Sequence, residues 1–208
     1  MEDHAEHMTY SKRVFDLTCA VLLALVLSPV LIVVSVLILC LDGRPVFYLS
    51  ERMQTPTRGF QLLKFRTMKT VSYDAGVSGG DKSARITRTG VFIRAKRIDE
   101  LPQLWNVLKG DISFVGPRPP LRQYVERFPD IYGPVLKSRP GITGLASVYF
   151  NKHEEYLLAR TQNSEETDAI YCRRCIPRKA KLDMIYQSKR TLCFDVLIML
   201  QTVFKRLR

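Results

Sequence analysis

An uncharged apolar run near the N-terminus constrains this chain more than any other feature. Residues 17–41 contain no charged side chain, and these 25 residues would extend about 37 Å as a straight helix at ~1.5 Å per residue. That length is enough to cross the hydrocarbon core of a bilayer. The run is long for a cleaved signal peptide, and no small-residue cleavage pattern follows it. The sequence therefore predicts a membrane segment, which we place at residues 12–43.

Two features argue against a simple crossing. Ser28-Pro29 lies at the centre of the run, and a proline there removes one backbone hydrogen bond and favours a kink or a break. Basic residues flank both sides, with Lys12 before the run and Arg44 after it. The positive-inside rule then favours a cytoplasmic position for both flanks. We predict a re-entrant helix-break-helix with its break at Ser28 and Pro29, and a kinked single-pass helix is the alternative.

A second apolar stripe occurs near the C-terminus. Its members share one face if the segment is helical, and they are Leu182, Ile185, Tyr186, Cys193, Val196, Leu197, Leu200, Val203, Phe204 and Leu207. Polar side chains, including Asp183 and Gln201, fall mostly on the opposite face. The pattern fits an amphipathic helix at a membrane interface. It fits a core helix equally well, because the pattern does not reveal what the apolar face contacts.

Charge narrows the partners. Lys and Arg number 32 against 20 Asp and Glu, which gives a formal net charge of +12. Such a balance favours polyanions, whether nucleic acid, anionic lipid or phosphorylated metabolites. The five cysteines are odd in number and scattered, which disfavours a secreted disulfide framework. Cys172 and Cys175 form a lone C-x-x-C, and zinc or redox use is disfavoured because no second pair accompanies it.

Two adjacent carboxylates interrupt the most basic stretch, "IRAKRIDELPQLWNVLKG", at residues 93–110. The apolar residues that follow recur at the spacing of one helix face, and they are Leu101, Leu104, Trp105 and Leu108. The pattern predicts a helix that ends at Gly110 and has Asp99 as its N-cap. Capping does not explain Glu100 or the surrounding arginines. Two carboxylates among several cations indicate a site for a metal ion together with a polyphosphate.

The remaining segments predict a single basic domain without repeats. A short strand is expected at 46–49, and residues 60–69 are expected to form a second strand or a mixed segment, in which Lys64 and Arg66 share a face if extended. Residues 73–84 are rich in Gly, Ser and Asp and predict a loop. The Gly-Pro-Arg-Pro-Pro turn at 116–120 fixes the backbone and positions Arg118. A helix at 121–128 and a Pro-Gly turn at 139–144 leading into a short strand complete the predicted elements.

The order of these segments resembles the bacterial sugar transferases, the monotopic phosphoglycosyl transferases, and most closely their minimal members that consist of the catalytic domain. The matching stretches are "SKRVFD" (11–16), the Ser28-Pro29 pair, "KFRTM" (64–68), "TRTGVFIRAKRIDELPQLWNVLKGDISFVGPRP" (87–119) and "PGITGLA" (140–146). The resemblance implies an α/β fold, mostly α with a small sheet. Its parts would be an N-terminal segment at 1–11, a re-entrant membrane helix at 12–43 and a compact cytosolic catalytic domain with interfacial amphipathic helices at 44–208.

The resemblance also implies a reaction. The family transfers a phosphosugar from a nucleotide sugar, usually a UDP-sugar, to polyprenyl phosphate, and it requires Mg²⁺. Asp99 would be the nucleophile that forms a phosphosugar-aspartyl intermediate, and Asp99 and Glu100 would hold the metal. Substrate contacts would come from Lys64, Arg66, Arg94, Gln103, Pro117, Arg118 and Pro119. The expected location is the bacterial cytoplasmic membrane, with the catalytic domain facing the cytoplasm among membrane lipids; a homodimer is left open.

Two rival classes use the same charge. One is a membrane-tethered nucleic-acid binder, and the other is a noncatalytic scaffold that holds anionic lipid. Neither needs adjacent carboxylates inside the most basic segment, where they would weaken contact with a polyanion. The aromatic residues also form no recognised RNA-binding signature. We therefore expect an enzyme, with no nucleic acid among its partners.

Overall fold

The computed structural model describes residues 9–70 and 80–204. In this part the chain is mostly helical, as predicted, with two small two-stranded sheets. The helices are α1 (Tyr10–Leu41), α2 (Arg88–Ala95), α3 (Leu104–Lys109), α4 (Arg122–Arg127), α5 (Pro129–Val135), α6 (Leu145–Leu158), α7 (Ser164–Ile170), α8 (Ile176–Lys189) and α9 (Leu192–Val203). The strands are β1 (Phe47–Met53), β2 (Gly59–Phe65), β3 (Ser113–Val115) and β4 (Gly141–Thr143). Short 3-10 segments occupy Gly80–Arg85 and Ile98–Gln103, and a π-helical turn at Tyr171–Cys175 joins α7 to α8.

Helix α1 is continuous through Pro29, so the predicted interruption at Ser28-Pro29 is wrong as a break in the helix. A proline at position 29 cannot donate to the carbonyl of Leu25, four residues before it. The Ser28 hydroxyl donates to that same carbonyl at 2.8 Å. The serine therefore supplies the hydrogen bond that the proline removes, and the helix can continue.

Both ends of α1 are attached to the same folded domain. Near its start, Arg13 donates to the carbonyls of Val107 at 2.7 Å and Leu108 at 2.8 Å. At its end, Arg66 donates to the carbonyls of the three residues that directly follow the helix, Asp42, Gly43 and Arg44. Between the two anchors, one stripe packs on the domain at positions 20, 24, 27, 31, 34 and 38. The other face of α1 is exposed and apolar.

Helix α1 is also the one described helix that is long and apolar enough to cross a membrane. Its exposed side chains include Leu25, Val26, Ile32 and Val33, each more than 60% exposed. An apolar patch of that extent is unusual for a surface in water and indicates contact with lipid or protein.

The strands build a frame under the carboxylate pair. Antiparallel β1 and β2 pair from Phe47↔Phe65 to Met53↔Gly59, which extends the predicted first strand. Asn106 of α3 accepts from the backbone of Leu63 at 2.9 Å and donates to the carbonyl of Gln61 at 2.8 Å. This buried side chain fixes α3, and the 3-10 segment before it, against β2. Strands β3 and β4 form a separate parallel pair.

The C-terminal apolar stripe is divided between two helices. In the second of these helices the apolar side chains are exposed, the reverse of what a core helix shows. Helices α8 and α9 are separated at residues 190–191, and in α9 the polar Asp195 and Gln201 are buried. The apolar Val196, Leu197 and Leu200 are each about 40% exposed. The packed-core alternative is therefore wrong for most of the α9 stripe, although Tyr186 of α8 is buried. Of the predicted loop at 73–84, residues 73–79 lie outside the described residues and the rest belongs to the 3-10 segment.

Candidate active site

The carboxylate pair lies in the 3-10 segment Ile98–Gln103, between α2 and α3. Asp99 is not the N-cap, contrary to the prediction from the sequence. Arg97 occupies that position in the left-handed region, with φ of 58°, and makes no side-chain cap. The 3-10 segment begins at Ile98, so both carboxylates lie in its first turn. The predicted end of α3 is confirmed, with Gly110 at φ of 86°.

Trp105 departs from the predicted helix face. It is 59% exposed, whereas Asn106 and Val107 are almost fully buried. Because the preceding turn is 3-10 instead of α-helical, side chains follow a spacing of three residues per turn before Leu104. The apolar face inferred for one continuous α-helix is consequently rotated.

Glu100 is surrounded by three cations. Its Oε1 accepts from Arg118 at 2.7 Å, Arg97 at 3.4 Å and Lys64 at 3.5 Å. Burial by itself would raise the pKa of Glu100, but the three cations outweigh burial and hold the pKa well below its usual range. The carboxylate of Glu100 is therefore ionised at every physiological pH, and it balances part of the positive charge of the site.

Asp99 is in a different state from its neighbour. Its side chain is half-buried, and no donor within residues 9–70 and 80–204 forms a hydrogen bond with its carboxylate. Burial raises its pKa, while Lys64, Arg94 and Arg97 oppose the shift. Asp99, Glu100 and these cations line a cavity of about 410 Å³. An unpaired carboxylate in a cationic cavity is free to react with, or bind, an incoming electrophile or cation.

Lys64 reaches this cavity from β2. Burial lowers its pKa to about 8, helped by the nearby Arg118 and opposed by Glu100. Arg94 comes from the last turn of α2 and lines the same cavity. Cations from a strand, a helix and two turns thus converge on two carboxylates, which is an arrangement suited to a polyphosphate.

The Gly-Pro-Arg-Pro-Pro turn places Arg118 as predicted. Gly116 donates to the carbonyl of Thr143 at 2.9 Å, and Gly141 donates to the carbonyl of Pro117 at 2.8 Å. A Cβ on Gly116 would lie 2.2 Å from the carbonyl oxygen of Arg139, so a side chain cannot be accommodated there. The turn is therefore tied to β4 on both sides of Pro117. This backbone anchoring directs Arg118 to Glu100.

Other predicted substrate contacts have different surroundings. Pro119 lines a neighbouring cavity, and Pro117 is engaged through its carbonyl. Arg66 borders a depression that includes Asp99, but its guanidinium donates to the carbonyls at the end of α1. Gln103 is 2% exposed, and its Nε2 has no hydrogen-bond partner in the described structure. None of these four residues lines the cavity that contains both Asp99 and Glu100. Arg66 and Pro117 instead form hydrogen bonds with backbone groups around the site.

The sequence reasoning did not identify Arg97 or Arg52 as site residues. Arg97 contacts Glu100 and lines the cavity with Asp99. Arg52, in β1, lines the neighbouring cavity beside Lys64 and Arg118. A basic residue next to the acidic pair was a usable signal for Arg97. Arg52 gave none, because only the pairing of β1 with β2 brings it to the site.

The donor set is compatible with one Mg²⁺ ion. Among the described residues, no group of three or more His, Cys, Asp and Glu side chains could enclose a metal by itself, and this includes Cys172 and Cys175. Mg²⁺ is commonly held by one or two carboxylates, with substrate phosphates and water completing the coordination. Asp99 and Glu100 provide such a pair, and all three cation contacts of Glu100 fall on Oε1.

A groove of about 850 Å³ with both polar and apolar lining extends from Glu100 to α1 and α9. Its polar end is formed by Arg94, Arg97, Glu100 and Arg118. Its apolar lining consists of Leu23, Leu27, Leu101, Leu104, Phe114, Ile142, Met199 and Val203. One end can therefore bind an anion while the other accommodates hydrocarbon.

Comparison with known proteins matches residues 7–208 to the bacterial sugar transferase family. A UDP-N-acetylgalactosamine-undecaprenyl-phosphate N-acetylgalactosaminephosphotransferase of Aeromonas hydrophila is 34% identical over 200 residues, which are 93% of this chain and 43% of that protein. An undecaprenyl-phosphate glucose phosphotransferase of Komagataeibacter xylinus is 36% identical over 201 residues, 92% of this chain and 35% of that protein. The uncharacterized sugar transferase EpsL of Bacillus subtilis (strain 168) is 41% identical over 137 residues, 66% of this chain and 67% of that protein. The chain spans less than half the length of the first two relatives.

Proposed function

This chain belongs to the bacterial sugar transferase family, and we propose that it transfers a phosphosugar from a UDP-sugar to polyprenyl phosphate at a membrane surface. The products are polyprenyl-diphosphate-sugar and UMP, and the reaction is a first membrane step of glycoconjugate assembly. The observation that carries the proposal is the unpaired Asp99 carboxylate beside the cation-bound Glu100. The full-length relatives that act on undecaprenyl phosphate support the choice of reaction.

We propose that the transfer proceeds in two steps through Asp99. A carboxylate oxygen of Asp99 attacks the phosphorus that bears the sugar, an O–P bond forms, and the bond from that phosphorus to the bridging oxygen breaks as UMP leaves. A phosphate oxygen of the lipid then attacks the same phosphorus and releases the Asp99 carboxylate. A covalent intermediate lets a soluble donor and a lipid acceptor use one site in turn.

The surrounding charges fit this chemistry. An anionic nucleophile and an anionic diphosphate repel each other, so fixed cations must offset the charge that develops during transfer. Arg94, Arg97, Arg118 and Lys64 supply those cations, and Glu100 holds three of them in place. Mg²⁺, bound by Asp99 and Glu100, would add charge neutralisation at the diphosphate when present.

The groove between the carboxylate pair and α1 supports a lipid acceptor. A polyprenyl phosphate has one anionic end and a long apolar chain, and the groove has the same division. Arg94, Arg97 and Arg118 would bind the phosphate, while Leu23 and Leu27 of α1 would contact the chain. The acceptor would then enter from the side of the protein that carries the exposed apolar residues.

We also propose that α1 enters the membrane from the cytoplasmic side and does not cross it, so that both of its ends remain on the cytoplasmic side. Both ends of α1 are anchored to one domain through Arg13 and Arg66. A simple span would place these anchors on opposite faces of the bilayer. The apolar side chains of α9 are exposed beside the groove, so α9 would lie at the membrane interface as an amphipathic helix. We place the protein at the bacterial cytoplasmic membrane, with its active site facing the cytoplasm.

The decisive experiment replaces Asp99 by asparagine. Because Asp99 neither caps a helix nor accepts a hydrogen bond in the described structure, Asp99→Asn should fold normally, yet UMP release should fall by at least about 10³-fold, since an amide does not attack phosphorus. Intact-protein mass spectrometry of the wild type with UDP-sugar and Mg²⁺, without lipid acceptor, should detect a phosphosugar adduct at Asp99. Asp130→Asn, at an exposed carboxylate of α5, is the matched control and should retain full activity.

Two results would contradict the proposal. One is wild-type turnover by Asp99→Asn together with no adduct on a turnover-competent wild type. The other is binding of lipid or nucleic acid by the wild type without UMP release from any UDP-sugar, which would favour one of the noncatalytic rivals.

A further inference from the structure

A second cavity of about 550 Å³ adjoins the carboxylate pair. Its near wall shares Lys64, Arg94, Arg97 and Arg118 with the reaction site. Its far wall is built by α5, α6 and α8 and includes Asp183. This volume lies within the usual range of small-molecule sites. We call it the Asp183 cavity.

Asp183 lacks the partner that a buried carboxylate normally has. It is 6% exposed, and its Oδ1 has no hydrogen-bond partner. Buried polar atoms are nearly always hydrogen-bonded, since leaving them unpaired is costly. A carboxylate that lines a cavity without a donor is therefore a candidate for binding a ligand. Burial also raises the pKa of Asp183 to about 7.

The nearby cation is already committed elsewhere. Lys179 Nζ donates to Glu154 at 3.0 Å and to the hydroxyl of Tyr171 at 3.3 Å. Lys179 and Glu154 neutralise each other, so two described acids of this cavity, Asp183 and Glu155, lack a cation partner. Glu155 accepts from the amide of Asn151 at 2.7 Å, whereas Oδ1 of Asp183 has no partner. The cavity is thus cationic where it meets the reaction site and acidic at its far end.

We propose that the Asp183 cavity holds the sugar ring of the donor, with Asp183 accepting a hydrogen bond from a sugar hydroxyl or an N-acetyl N–H. This inference rests on the proposed function, because it assigns one part of that donor. The cations of the near wall bind the diphosphate, and the ring attached to that phosphate extends toward Asp183. Neutral and N-acetylated hexoses fit this wall. Sugars that carry a carboxylate are excluded, because their charge would face Asp183.

The position of the cavity favours the sugar over the nucleoside. In the two-step transfer, UMP departs while the sugar remains on Asp99 until the lipid attacks. Asp183 does not line the groove that leads to α1 and α9. A ring held by Asp183 would therefore stay in place while the acceptor enters through the groove.

The test compares wild type with Asp183→Leu and Asp183→Asn. Leucine has similar size and no acceptor, whereas asparagine keeps a neutral acceptor oxygen. UMP release is measured with UDP-glucose, UDP-galactose, their two N-acetylamino counterparts and UDP-glucuronic acid, and inhibition by UMP is measured in parallel. Asp130→Asn is the control for loss of a carboxylate elsewhere, and melting temperature reports folding. If Asp183→Leu fails to fold, Asp183→Asn tests the same contact with a smaller expected loss, because asparagine keeps a neutral acceptor.

We expect Asp183→Leu to lower kcat/KM for the preferred donor by about tenfold or more, with Asp183→Asn intermediate. Preference among the donors should narrow, while inhibition by UMP stays within twofold of wild type. Unchanged kcat/KM, or equal losses for all donors together with weaker UMP inhibition, would overturn the sugar assignment while leaving the proposed reaction intact. A wild type that releases UMP from none of the five donors would overturn the proposed function, and this inference with it.

Discussion

Arg118 differs from the other cations of the site because it binds Glu100 most closely, at 2.7 Å. Like Arg94 and Arg97, it also borders the reaction cavity, the Asp183 cavity and the groove. Glu100 in turn raises the pKa of Arg118, so the guanidinium remains charged. The same residue can therefore contact the donor phosphates and, later, the acceptor phosphate. This position makes Arg118 the most informative cation to remove.

We expect Arg118→Ala to reduce kcat by about 10²–10³-fold, by analogy with the removal of one donor that stabilises transition-state charge. The anchored backbone of the turn should keep the variant folded. Steady-state UMP release and a thermal melt measure the two effects. Arg122→Ala, which breaks the exposed ion pair with Glu51, is the control and should change neither by much. Full activity in folded Arg118→Ala would remove this residue from the site.

Asp183 also predicts a pH dependence of stability. Its pKa is raised from 3.8 to about 7 by burial, with Glu154 adding to the shift and Lys179 opposing it. The folded state therefore retains a proton that the unfolded state releases, and the destabilisation grows between about pH 4 and pH 7. Asp183→Asn should remove this term, which is on the order of a few kcal/mol. Its melting temperature should exceed that of wild type more at pH 8 than at pH 5, and an equal difference at both pH values would contradict the shift.

Among the elements, α1 and α9 are joined by a buried ion pair. Lys12 of α1 contacts Asp195 of α9, and Tyr186 donates to Asp195 at 2.7 Å. Lys12 and Asp195 are separated by 183 positions in sequence, and both are at most 5% exposed. This cluster explains why the polar face of α9 is buried and its apolar face is not.

Breaking this pair should weaken the attachment of the start of α1 to the domain, where Arg13 would remain bound to α3. Lys12→Met leaves the Asp195 charge buried without its counter-ion, which typically destabilises by about 3–5 kcal/mol. The double variant Lys12→Met with Asp195→Leu should recover most of that loss, because neither charge remains. Thermal unfolding in detergent measures both. If the double variant is no more stable than Lys12→Met, the ion pair does not explain the attachment.

The same elements show what a sequence can and cannot predict. The end of α3 at Gly110, the helix after the Gly-Pro-Arg-Pro-Pro turn and the strand after Pro140 follow from local signals, and all three are confirmed. The continuity of α1 was not predicted, because a proline is a break signal in sequence and the bond from the Ser28 hydroxyl to the carbonyl of Leu25 is seen only in the structure. The orientation of α9 was left open between an interfacial and a core helix, because the burial of Asp195 depends on Lys12, which is distant in sequence. Asp183 of α8 was placed on a polar face, but it is 6% exposed and its Oδ1 has no hydrogen-bond partner, so no local pattern predicts its burial.

For the whole molecule, the arrangement of charge and apolar surface constrains how the protein meets a membrane. The net charge of +12 favours an anionic cytoplasmic leaflet. Exposed apolar residues are concentrated on α1 and α9, and the groove from the active site runs between residues of these two helices. Under the proposed function, a lipid-phosphate acceptor would approach Asp99 without leaving the bilayer surface, while a soluble nucleotide sugar would arrive from water.

This arrangement predicts that both ends of α1 lie on the same side of the membrane. Single cysteines at Tyr10, at Arg44 and at the domain marker Asp130, each in a background without native cysteines, should react with a water-soluble maleimide from the cytoplasmic side. A cysteine at Val26, which is 72% exposed in the middle of α1, should resist the reagent until detergent is added. Labelling of position 10 from the opposite side to positions 44 and 130 would establish a full crossing. That result would require Arg13 to leave the carbonyls of α3, because those acceptors belong to the same domain as Arg66 and cannot lie on both sides of the bilayer.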